Sequence, residues 1–136
     1  MRVILDTCVL KLATLPNPGN KAALIWELCQ RERFQIYGSP DTLGEYHRVL
    51  ADYPLFLEEI QARIELCYPF FNATAIAHEP DNRFLEVALA VSADYLITVN
   101  TARGHFDRKH YENVRVVTPG EFLKQREVQS LLADLA

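Results

Sequence analysis

Four side chains with oxygen donors stand where strands end or where the next helix begins: Asp6, Glu45, Asp81 and Asn100. In an open parallel sheet, ligands bind beyond the carboxyl ends of the strands, so this placement gathers the four at one edge. Carboxylates and an amide are the hard oxygen ligands that Mg²⁺ or Mn²⁺ prefers. Asp6 carries the most weight. It follows the apolar run Val3-Ile4-Leu5, and a carboxylate at the end of a buried strand costs desolvation energy unless it is paired or holds a cation. Taken singly, Asp81 also fits a helix N-cap, Glu45 a solvated helix residue paired with Arg48, and Asn100 an ordinary loop position. Their agreement at one sheet edge is what points to a site.

Other chemistries of this topology lack their residues. Asp6-Thr7-Cys8-Val9-Leu10 has no glycine-rich turn, and neither a dinucleotide fingerprint nor a P-loop occurs in the chain. An aspartyl-phosphate phosphatase needs a second aspartate two residues after the first, where Cys8 stands, and a receiver domain needs an adjacent acidic pair after the first strand. The serine nucleophile elbow G-x-S-x-G is also missing. Cys8, Cys29 and Cys67 are odd in number and far apart, which argues against a disulfide framework and gives none of the close cysteine pairs of zinc sites.

The elements that must position these residues alternate. A strand over residues 2–5 leads into a helical stretch and the breaker Pro16-Asn17-Pro18-Gly19. Asn20 caps a helix over 21–33 that carries Leu24, Ile25, Leu28 and Cys29 at helical spacing. A strand over 34–37 follows. Ser39-Pro40 reads as an N-cap with proline at N1, opening a helix to about Leu50 with Leu43, His47 and Leu50 inward. The spacing of Phe56, Ile60, Ile64 and Cys67 predicts a further helix from Pro54, and a third strand is expected near 73–77. Helix 82–92, strands 94–98 and 114–117, and one last helix opened by a capping box at Thr118-Pro119-Gly120-Glu121 complete the order. Such alternation predicts an α/β fold, a central parallel sheet with helices on both faces.

At 136 residues with 49% apolar and 24% charged residues, one domain over 1–136 accounts for the chain. No segment reaches the roughly 18 apolar residues of a membrane span, and the start is too polar for a signal peptide, so a cytoplasmic place is expected. The net charge of −4 argues against binding nucleic acid by bulk attraction; divalent cations at a carboxylate cluster would offset it locally.

Taken together, these segments resemble the PIN domain family, and within it the bacterial VapC-like toxin components of toxin–antitoxin pairs. Asp6-Thr7-Cys8-Val9-Leu10 resembles the family's opening D-T-N-V-L. Ser39-Pro40 through Glu45 to Leu50 resembles S-P-x-x-x-x-E-x-x-x-V-L, and Asp81-Asn82-Arg83-Phe84-Leu85-Glu86-Val87-Ala88 resembles D-N-x-F-L-E-x-A. Ala93 to Asn100 resembles A-D-x-L-[IV]-T-x-[DN], while His105-Phe106 and Val116 to Leu123 resemble the closing segment. The resemblance implies a three-layer α/β/α sandwich and cleavage of RNA assisted by Mg²⁺ or Mn²⁺. Asp6, Glu45 and Asp81 fall on the family's most regular acids, and Asn100 on a fourth position shared by aspartate and asparagine. Cys8 stands where asparagine is usual. The resemblance further implies an antitoxin protein as partner and a homodimer, with Trp26, Phe70 and Phe71 as interface candidates. Arg83, Arg103, His105 and Lys11 are candidate phosphate contacts. The alternative is a PIN-like module that binds RNA or protein without cutting.

Overall fold

The computed structural model describes residues 1–135 and is an α/β/α sandwich. Strand β1 (Arg2–Leu5) runs into helix α1 (Thr7–Ala13), then α2 (Lys21–Gln30), β2 (Gln35–Gly38), α3 (Pro40–Val49) and α4 (Pro54–Arg63). Strand β3 (Ile64–Leu66), α5 (Asp81–Ala90), β4 (Tyr95–Ile97), β5 (His110–Tyr111), β6 (Val114–Val117), α6 (Pro119–Leu123) and α7 (Arg126–Ala133) follow. The sheet order is β3-β2-β1-β4-β6-β5, parallel throughout except for the β5–β6 hairpin at one edge.

The central strands β1 and β4 are almost wholly apolar and buried, as a sheet covered on both faces requires. The strand order reverses its direction between them, since β2 and β3 lie on one side of β1, and β4 and β6 on the other. A crevice opens at such a switch point beyond the strand ends. Helix starts follow local chemistry. Ser39 and Thr42 form a reciprocal capping box at α3, as Thr118 and Glu121 do at α6, and the Asn20 side chain accepts from the Ala23 amide at α2.

Several expected boundaries differ. Helix α4 stops at Arg63, and Ile64 pairs with Ile36 as the first residue of β3, so Ile64 and Cys67 are not on a helix face. Pairing with the open edge of β2 gives the backbone groups of this stretch partners in place of another helical turn. Gly38 makes this approach feasible, because a Cβ there would collide with the Ile64 side chain and come within 2.9 Å of Thr42 Oγ1.

The strand expected at 73–77 is irregular loop instead. Its polar groups bond to side chains of α5: the Ala73 amide donates to Glu86 Oε2 (2.8 Å), and Ile76 exchanges two bonds with the Asn82 amide group (3.1 and 2.8 Å). In α3 the buried residues are Thr42 and Tyr46, while His47 is exposed beside Gln61 rather than inward. The single last helix is two, because Gln125 is extended (ψ 138°) between α6 and α7.

Candidate metal-binding cleft

Asp6 is the N-cap of α1. Its Oδ1 accepts from the Thr7 amide (2.8 Å), leaving Oδ2 to face the switch-point crevice. There Oδ2 accepts from Thr98 Oγ1 (2.7 Å), Cys8 Sγ (3.4 Å) and, at the limit of bonding distance, Asn100 Nδ2 (3.5 Å). Thr98 and Asn100 lie just beyond β4, which pairs with β1 in register from Val3↔Tyr95 to Leu5↔Ile97. The Thr98 hydroxyl also accepts from the Asn100 amide (2.9 Å), so the β4 exit is fixed to the β1 exit through Asp6.

Asp81 enters from the start of α5 and is as buried as Asp6, each 4% exposed. It does not cap its helix. The N-cap position belongs to Pro80, and the carboxylate turns to two imidazoles: Oδ1 lies 3.3 Å from His78 Nδ1 and Oδ2 lies 3.0 Å from His105 Nδ1. Glu45, on α3, is partly exposed and meets Arg48 at 2.7 Å. Tyr46 sets its helix against the first strand, with the buried hydroxyl donating to Leu5 O (2.5 Å).

One cleft of about 380 Å³ takes lining from Asp6, Glu45, Asp81 and Asn100 alike. Thr7, Cys8, Lys11, Arg48 and His78 complete its polar wall. A larger concavity of about 670 Å³ opens near Met1, Phe34 and Ile64, where strands begin rather than end, and lies away from this carboxylate cluster.

Burial is the main reason the Asp6 carboxyl is pushed above the ordinary aspartate range, and the charge of Asp81 adds to it. The Thr98 hydrogen bond opposes both. Neither Asp6 nor Asp81 has a lysine or arginine bonded to it among the described residues. The Cys8 thiol is pushed up to about 12, first by burial and then by Asp6, so it stays protonated and donates to the carboxylate. Thr7, also on the cleft wall, carries a buried hydroxyl without a hydrogen-bond partner among the described residues. Two buried carboxylates with no lysine or arginine bonded to them among the described residues, an amide and a glutamate at the rim form a donor set that fits a hard divalent cation.

The sequence reading did not single out His78, although it stands three residues before Asp81, and it assigned His105 to phosphate contact rather than to Asp81. Nothing local in the sequence announces that the 77–81 and 102–107 loops meet. Of the other cationic candidates, Lys11 lines the cleft, Arg103 is exposed away from its wall, and Arg83 is engaged by Glu79 (2.8 Å) and Glu86 (2.9 Å). Glu79 is thereby a partner of Arg83 and Asn82, and Asp107 Oδ2 accepts from the Gly104 amide. Among the described residues, no helix is long and apolar enough to cross a membrane.

Comparison with curated protein sequences gives no match. A family model does: the one described as PIN domain matches residues 2–102, a span that runs from β1 past Asn100 and includes Asp6, Glu45 and Asp81. The chain therefore belongs to the PIN domain family.

Proposed function

We propose that the protein is a divalent-metal-dependent endoribonuclease and the toxin component of a type II toxin–antitoxin pair. Membership of a family that generally comprises nucleases supports the reaction class. The observation that carries the reading is the meeting of Asp6 and Asp81, both buried, in one cleft with Glu45 and Asn100, with no lysine or arginine bonded to either among the described residues. Mg²⁺ or Mn²⁺ held there would activate water for attack on a phosphodiester and stabilise charge on the phosphoryl oxygens.

The chain's own residues have separable tasks in this reading. Asp6 and Asp81 bind the ion, with Glu45 and Asn100 completing its shell. Thr98 and Cys8 orient Asp6 by donating to Oδ2, and Lys11 and Arg48 at the rim meet phosphate. Antitoxin capture and self-association belong to the same reading. Phe70 is fully exposed and Tyr68 and Phe71 lie beside it, just past edge strand β3, which supplies an apolar surface for protein contact. Trp26 is buried against Phe56 and takes no part. A cytoplasmic place goes with an RNA substrate.

The test is cleavage of a structured RNA in Mn²⁺ or Mg²⁺, with an Asp6→Asn variant purified in parallel. The wild type should cut and stop when the metal is chelated. The variant should be slower by roughly 100-fold or more, the scale on which lost positioning acts. Equal cleavage by both proteins would point to a contaminating nuclease and remove the support.

A further inference from the structure

The nitrogen atoms beside Asp81 have no task in the reading above. One ring nitrogen each from His78 and His105 and one Asp81 carboxylate oxygen all lie within 4.8 Å of one another. Each imidazole approaches a different oxygen of Asp81, at 3.3 and 3.0 Å, and the two rings lie 4.6 Å apart, inclined by 36°. Ligand atoms around a tetrahedral ion with bonds of about 2.0–2.1 Å are roughly 3.3 Å apart, a spacing the two His–Asp81 approaches already have, and closing on one ion would draw the remaining pair in from at most 4.8 Å.

The two loops are held together without one. The His78 amide donates to Gly104 O (2.8 Å), the Asp81 amide to His78 O (3.0 Å), and the Phe106 amide to Asn100 O (3.0 Å). Phe106 is buried and anchors the second loop, and Gly104 takes the positive φ of 90° that turns the chain ahead of His105. Side chains of His78 and His105 are 50% and 33% exposed, which leaves an ion a path from solvent.

The geometry points to a second metal site, His78–Asp81–His105, that takes a borderline, nitrogen-preferring ion such as Zn²⁺, Co²⁺ or Ni²⁺ and shares Asp81 with the oxygen-donor set of Asp6, Glu45 and Asn100. Two imidazoles and one carboxylate suit such ions better than Mg²⁺, and three protein ligands leave positions for solvent. Because Asp81 is common to both, ions at the two positions compete for that carboxylate.

The test uses the untagged full chain and Co²⁺, read by its visible absorption, with Zn²⁺ affinity measured by calorimetry. Wild type and Asp6→Asn should both develop the intense bands of Co²⁺ in a low-coordinate nitrogen and oxygen environment. The double variant His78→Ala/His105→Ala retains His47 and His110, the chain's other two histidines. It should lose the bands and bind Zn²⁺ more weakly by roughly tenfold or more, since even the outer partners of metal ligands contribute that much. Thermal melting confirms its fold, and His105→Asn alone provides a milder second variant with the same expected direction. Undiminished bands in the double variant, loss of the bands in Asp6→Asn, or only the weak spectrum of hydrated Co²⁺ with the wild type would each overturn the proposal. The readout is optical and needs no RNA, so it fails or succeeds separately from the nuclease reading.

Discussion

Burial sets Asp6 against its own ionisation, and hydrogen bonds from Thr98, Cys8 and Thr7 offset part of the cost. A carboxyl raised above its unfolded value binds its proton more tightly in the fold than in the unfolded chain. Metal-free stability therefore falls as pH rises from the ordinary aspartate range through the raised one, and the loss is complete above it. Asp6→Asn removes that loss. In chelator at neutral pH the variant should melt higher by about 2–5 °C, a gain that shrinks as pH is lowered through the raised range; an unchanged or lower melting temperature would contradict the electrostatic account. Asp6 was legible in the sequence because a charged residue directly after a buried strand is conspicuous. His78 was not, since its meeting with Asp81 and His105 depends on two loops whose contact no local pattern records.

Helix α5 works as a clamp as well as a platform for Asp81. Asn82 and Glu86, both buried, bond the backbone at Ile76 and Ala73 and so hold the loop that leads to His78. Replacing Asn82 with alanine leaves the Ile76 amide and carbonyl without those partners, at a cost of about 2–4 kcal/mol for two buried groups. Urea denaturation should show that loss, and the Ile76 amide should exchange faster with solvent; normal exchange there would mean the loop is held by other contacts. The same clamp explains why an apolar stretch at 73–77 reads as a strand yet forms none. Its hydrogen bonds go to side chains, and apolar content alone cannot distinguish the two. At Ile64 a helical spacing of apolar residues gave way to pairing with β2, a long-range gain invisible in a local window. Elements with a cap written into them, α3 after Ser39 and α6 after Thr118, were readable because the decisive contact lies within three residues.

On the scale of the molecule, a chain of net charge −4 has no bulk attraction for RNA, and the cleft adds two buried carboxylates where a phosphodiester would have to lie. Metal must bind before substrate in this account, because the cation offsets repulsion as well as serving chemistry. The switch point between β1 and β4 was legible from the alternation of strands and helices, and it is where the chain gathers residues 6, 45, 81 and 100 from four separate segments. Calorimetric titration of the metal-free protein with Mn²⁺, wild type beside Asp6→Asn, tests the central claim most directly. The account predicts saturable binding by the wild type that is weaker by roughly tenfold or more in the variant; equal binding by both, or none by the wild type, would contradict it.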